Sequence, residues 1–162
     1  MALTAFVGRC MFAFVFMASA LNKLQTFIDG GEEVSAALGM LSPRLDAARD
    51  AFASKTGIHL RFLPLGDVHL LAAATFLEGA GAALLILDVT LGAKMLMLFV
   101  MLVTPVMHPF WTHEDRSSAA HAVDMIAFFK NVALCGALLT YVAMKAPVAA
   151  LAASKRGGVK RE

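Results

Sequence analysis

The sequence predicts an all-α protein: a membrane-embedded four-helix bundle with an amphipathic helical segment between the first and second spans. Three observations lead there. Apolar residues make up 59% of the chain and the mean hydropathy is +0.73, whereas soluble domains stand nearer about 45–50% apolar even with glycine counted. These residues gather into four runs, each about the ~20 residues that ~30 Å of hydrocarbon requires. Charged residues, 16% of the chain against a soluble norm of about 25%, fall between the runs and at the end.

The runs extend from Thr4 to Phe27, Val68 to Val89, Leu91 to Phe110 and Ala122 to Met144. Lipid offers the backbone no hydrogen-bond partners, so spans of this length must be helices; a barrel would need shorter, alternating segments. The first run begins behind a single Arg9, is too long for the core of a signal peptide and has no A-x-A ending, so it reads as a retained span. Short joins at Thr90 and from Thr112 to His121 make the second, third and fourth helices antiparallel neighbours, and an up-down bundle is the simplest closure. Thr104-Pro105 and Pro109 predict a kink and an end for the third helix.

The connection from Asp29 to Gly66 is polar but periodic. Val34, Leu38, Leu41, Leu45, Ala48 and Phe52 recur at spacings of four and three among charged residues, the pattern of a helix with one apolar face. Ser42 before Pro43 has the form of an N-cap followed by proline at the first helical position, which predicts two short helices divided there. The apolar face would either cap the bundle's end or lie on the membrane interface. Residues 1–146 thus form one membrane domain with an insertion at 29–66, followed by a basic tail, 147–162.

A net charge of +2 gives no reason to expect nucleic acid. Lys155, Arg156, Lys160 and Arg161 follow directly on an apolar run, so the lipid bilayer and its anionic headgroups are the expected partners of the tail. An even number of spans places both termini on one side. The distribution of Arg9, Lys94 and Lys145 with the tail, against Lys23, Arg44, Arg49, Lys55, Arg61 and Arg116, leans toward the cytoplasmic or equivalent face. Cys10 and Cys135 both lie inside apolar runs, which speaks against a disulfide-stapled fold and for packing.

Ionisable groups within spans are costly, and each is a functional candidate. Counting inward along antiparallel helices at about 1.5 Å per residue places Glu78 and Lys130 together near mid-bilayer, Lys23 and Asp124 toward the long-connection side, and Arg9 and Asp88 toward the other. Three depth-matched pairs of opposite charge are the result. Glu78 shares a stripe with Ala74, Thr75, Gly81 and Ala82, and Asp124, Ala127 and Asn131 share a face of the fourth span, so these polar groups should point inward. They either orient and hold the helices or line a proton or quinone path. His108, His113 and His121 lack the four-residue helical spacing of a zinc helix, and no metal is expected. No phosphate loop, nucleophile elbow or catalytic carboxylate pair is visible.

The stretches GRCMFAFVFMASALNKLQTF, HLLAAATFLEGAGAALLIL, TPVMHPFW and FFKNVALCGALLTYVAMK, in that order and spacing, resemble the DoxX-like membrane proteins, most closely the branch of HR-like lesion-inducing proteins. The resemblance extends to about Lys145 and implies a four-helix membrane protein without an established reaction. By position it carries over Gly8 with Arg9, Gly79 and Gly81, and Asn131 with Gly136, the glycines as helix-packing positions. The tail after Ala146 has no counterpart. The implied function is that of a non-catalytic accessory or scaffold component, linked to redox or stress machinery and associated with other subunits of a membrane complex. The competing readings are a quinone-using oxidoreductase subunit, with Arg9, Glu78 and Lys130 around the headgroup, and a small carrier or cargo receptor. No cofactor other than that quinone is in view.

Overall fold

The computed structural model describes residues 2–58 and 66–158, with side chains for 3–58 and 66–145. Five helices follow in order: α1 (Ala2–Asp29), α2 (Gly31–Thr56), α3 (Asp67–Ile86), α4 (Thr90–Met107) and α5 (Ala119–Gly158), with a 3₁₀ turn at Phe110–Thr112 between the last two. Arg61 and the tail's Lys155, Arg156, Lys160 and Arg161 lie outside the described side chains.

Four stretches, Leu3–Asp29, Asp67–Ile86, Thr90–Thr112 and Ala119–Lys145, are long and apolar enough to cross a membrane. Outward side chains such as Leu3, Met11, Phe14, Phe76, Met101 and Ile126 stand more than half exposed, an apolar surface that suits lipid and would be anomalous in water. The chain is a multi-pass membrane protein.

Local chemistry sets the breaks. Gly30, at φ 92°, ends α1 and starts α2, and Gly57, at φ 71°, closes α2 with its N–H on the Ala53 carbonyl; both angles favour glycine. At the α3–α4 turn the left-handed residue is Asp88, φ 65°. Its N–H meets the Leu85 carbonyl at 3.0 Å and that of Val89 meets Leu84 at 2.9 Å, the two bonds of a Schellman cap. Pro105 stands within α4, and the helix stops at Met107 before Pro109.

α3 packs between α1 and α4, and α4 packs against α5, while the backbones of α1 and α5 do not meet. The lateral order is therefore α1–α3–α4–α5, with an open cleft of about 260 Å³ between the outer two, lined by Gly8, Arg9, Phe12, Leu138 and Tyr141 among others. The core joins Ala13 and Phe16 of α1, Ala82 and Leu85 of α3, Ala93, Leu96, Phe99 and Val100 of α4, and Leu138 of α5. Phe16 and Phe99 meet edge to face at 6.4 Å, a favoured aromatic geometry.

The α3–α4 crossing is the closest. A Cβ on Gly92 would fall 2.5 Å from the Leu85 nitrogen and 2.6 Å from the Gly81 oxygen, and one on Gly81 would meet Leu96 at 2.9 Å. Gly79 approaches Ala20 of α1 at 3.3 Å by the same measure. The other two glycines expected to pack helices do not: Gly8 and Gly136 face open space.

The segment between the first two spans also departs from expectation. α2 is one continuous helix through Pro43 rather than two helices divided at Ser42. Proline removes the bond to the carbonyl four residues back, but that residue, Gly39, is exposed, so water at the membrane surface can satisfy it. Ser42 lies half-buried inside this helix and starts no new one. α2 lies against α1, α3 and α4, with Val34, Leu38, Leu41, Leu45 and Ala48 half-buried. Phe52, expected on the same protected face, is 41% exposed.

Candidate functional site

The polar groups of the bundle form three clusters at different depths. In the middle, the Glu78 carboxylate is buried, at 3% residue exposure, and accepts a hydrogen bond from the Lys23 ammonium, Nζ to Oε2 2.5 Å. Lys23 also donates to the Ser19 hydroxyl at 2.7 Å and lies 5.5 Å from the Phe99 ring centroid. The ammonium thus meets a counter-charge, a hydroxyl and an aromatic face at once, and the carboxylate is compensated in a low-dielectric setting where an unpaired charge would be severely penalised.

This arrangement corrects two of the depth-matched pairs. Glu78 pairs with Lys23 and not with Lys130, and Asp124 pairs with two histidines and not with Lys23. Depth supplies one coordinate of a neighbour and lateral order the other. α3 has α1 and α4 beside it, so a residue on α5 at the same depth is out of reach. Lys130 is exposed on the outer face of α5 and makes no ion pair among the described residues.

At the end nearest the N-terminus, Asp88 gathers three partners. Arg9 Nη1 lies 3.0 Å from its carboxylate, Tyr141 donates to it at 2.8 Å, and the Lys145 ammonium bonds the second oxygen. Arg9 Nε also donates to the Ile86 carbonyl at 3.4 Å, one of the carbonyls that the end of a helix leaves without an internal partner. The Lys145 hydrogen bond first, then Tyr141 and the Arg9 charge, hold the Asp88 carboxyl below the usual carboxylate range. This cluster ties α1 and α5, whose backbones do not meet, to the α3–α4 turn.

The opposite end repeats the device. Arg44 of α2 donates to the Met107 carbonyl, the last of α4, and Arg49 bridges Asp67 at 2.8 Å and Asp46 at 2.9 Å. Asp67 and Asp46 raise the Arg49 pKa further above its ordinary value. Asp124 accepts from His113 Nε2 at 2.9 Å and lies 3.3 Å from His108 Nδ1. Between the two ends, Asn131 donates to the buried Thr104 hydroxyl at 3.1 Å, and that hydroxyl donates to the Val100 carbonyl, linking α5 to α4.

Among the described residues no three His, Cys, Asp or Glu side chains are placed to hold a metal. Both cysteines are free and half-buried. No buried side-chain nitrogen or oxygen lacks a hydrogen-bond partner among the described residues.

Residues 1–144 match the family described as HR-like lesion-inducing. The chain belongs to the HR-like lesion-inducing family. No curated protein and no solved structure matches the chain detectably.

In this HR-like lesion-inducing protein the match ends one residue before Lys145, so it takes in Arg9, Asp88 and Tyr141 of the end cluster and the whole of the central pair. Sequence reasoning missed several members of these clusters: Tyr141, Ser19, Lys145 as a partner of Asp88, and Arg44 at the end of α4. The signal for Tyr141 and Lys145 was their four-residue spacing on one face of α5, at the depth of Asp88. Nothing in the pattern identified Arg44 as a partner of the Met107 carbonyl. The aromatic group of Phe110, Trp111, Phe128 and Phe129, with ring centroids 5.2–5.9 Å apart, was likewise not foreseen. It joins the 3₁₀ turn to α5, and Trp111, in that turn, is the ring that suits the membrane interface.

Proposed function

We propose that this protein is a non-catalytic component of a membrane complex, a four-span scaffold that acts by association with other membrane proteins. The observation that carries this reading is the closure of the central pair: Glu78 is buried against Lys23, Ser19 and Phe99, and it lines neither the cleft between α1 and α5 nor the groove between α1 and α3. A proton or quinone site at mid-bilayer would instead need that carboxylate beside an opening. The same pattern of internal pairing at both ends supports a bundle whose charges orient helices rather than substrates. The resemblance to DoxX-like proteins, with its link to redox and stress machinery, supports an accessory role within a larger assembly.

The competing quinone-linked reading has its best place at the cleft between α1 and α5, where Arg9 and Tyr141 stand beside Phe12. Purification of the full chain in mild detergent decides between them. The scaffold reading expects stoichiometric co-purifying membrane proteins, identified by mass spectrometry, and no quinone in the organic extract. A chain that purifies alone with bound quinone overturns it.

A further inference from the structure

Two lysines within spans, Lys94 and Lys130, make no ion pair among the described residues. Lys94 is near the start of α4, where its stem can carry the ammonium to the interface. Lys130 cannot do this so readily: the centre of the Ala119–Lys145 span falls at Val132, and Lys130 is exposed two residues away. An unpaired charge at that depth costs ~2.5 to 3.5 kcal/mol on insertion scales. The charged groups of the central cluster, Glu78 and Lys23, are paired with each other.

The helix that carries Lys130 is also the least enclosed. Only 6% of the apolar 18-residue stretch of α5 is buried, against 17–33% for the corresponding stretches of the other three spans. Ile126, Lys130, Ala133 and Ala137 recur at spacings of four, three and four, which places them on one face of α5, and all are exposed. The two alanines leave room for another helix to approach closely beside the ammonium.

Resting on the scaffold reading, we propose that this face of α5 docks a transmembrane helix of a different membrane protein, one that carries an aspartate or glutamate near mid-bilayer. Charge complementarity commits the occupant. A second copy of this chain does not meet the requirement, because the one mid-bilayer acid, Glu78, is buried and bonded to Lys23, while Asp88 and Asp124 belong to the end clusters. Lys130 supplies the attraction, and the small residues supply the close contact that such helix pairs need in lipid.

The test places the full chain, labelled with a donor dye, in vesicles of zwitterionic lipid. Acceptor-labelled polyleucine transmembrane peptides carry a single central Glu, Gln or Leu. The Glu peptide should associate roughly tenfold more tightly than the Leu peptide, in line with the ~1–2 kcal/mol measured for polar contacts between model membrane helices. Lys130→Met should remove that preference while leaving the helical circular dichroism and melting temperature of the chain unchanged, since Lys130 holds nothing inside the bundle. Equal association of the three peptides overturns the proposal, as does a preference that survives Lys130→Met. Energy transfer between copies of the chain that disappears in Lys130→Met would assign the face to self-association and also overturn it. Co-purifying proteins that remain bound to Lys130→Met would leave the scaffold reading intact and remove this one.

Discussion

Glu78 of α3 takes its counter-charge from Lys23 of α1 at 2.5 Å, while Lys130 of α5, at a similar depth, stays outside the bundle. Counting along the helices puts Lys130 closer to the depth of Glu78 than Lys23, yet the lateral order of the helices decides the pairing. It gives the two lysines opposite roles: one neutralises a buried carboxylate, the other charges an outer face.

A double-mutant cycle reads that difference. Lys23→Met should lower the melting temperature in detergent more than Glu78→Gln, because it leaves an anion buried whereas glutamine can still accept from the ammonium. Breaking a buried pair typically costs ~3 to 5 kcal/mol, and the partial exposure of the Lys23 side chain, 29%, makes that an upper figure here. The double change should recover part of the loss. Lys130→Met combined with Glu78→Gln should be additive; coupling between those two would show that they meet.

At the end cluster the expectation concerns pH. The folded-state pKa of Asp88 is depressed, chiefly by the Lys145 hydrogen bond, then by Tyr141 and Arg9. A depressed carboxyl contributes stability that is fully present above its unfolded value, about 3.9, and is lost as pH falls through the folded pKa. Melting temperature in detergent should therefore fall below about pH 4, and Asp88→Asn should flatten that part of the profile. Asparagine is the informative replacement, since it tolerates the left-handed φ of 65° and so alters charge without adding backbone strain. Since the Asp88 side chain is 37% exposed, solvent screening keeps the effect modest. An unchanged acid limb in Asp88→Asn would show that other carboxylates set it.

How much of this was legible in the sequence follows from what each signal measures. Run length fixed four spans because hydrocarbon thickness is a one-dimensional constraint, and depth matching found Arg9 with Asp88 because α1 and α3 are also lateral neighbours. The same count misassigned Glu78 and Asp124, whose depth-matched candidates lie on helices that do not touch theirs. Gly92, which allows the closest backbone approach in the bundle, gave no sign at all: it stands in a start-of-helix Leu91-Gly92-Ala93 that reads as ordinary span. Ser42-Pro43 carried a helix-start signal, and the packing of α2 as one helix against α1, α3 and α4 was invisible until those elements were placed.

Topology gives a further expectation. Four spans should leave both ends of the chain on the same side of the bilayer, so tags placed before Met1 and after Glu162 are expected to share accessibility in sealed vesicles. Opposite-side labelling would mean that one of the four helices lies on the membrane rather than across it.

The close crossing of α3 and α4 yields the last prediction. In an ordinary helix interior, Gly→Ala is favourable by about 0.8–1.0 kcal/mol through propensity, so a gain would be the default outcome. At Gly92 the added methyl would stand 2.5 Å from the Leu85 nitrogen, 2.6 Å from the Gly81 oxygen and 2.7 Å from the Leu84 Cβ. Two of these three are backbone atoms, which cannot swing aside, so the helices must separate. Separation would loosen Leu85, Ala93 and Leu96 together, all of them core residues, and overpacking of this kind typically costs 1–3 kcal/mol. Gly92→Ala should therefore lower the melting temperature despite its helix propensity. Gly136→Ala, at a position facing open space, serves as the matched control and should be neutral or slightly stabilising. Equal behaviour of the two variants in a detergent melt would show that the α3–α4 backbones do not approach as closely as this crossing requires.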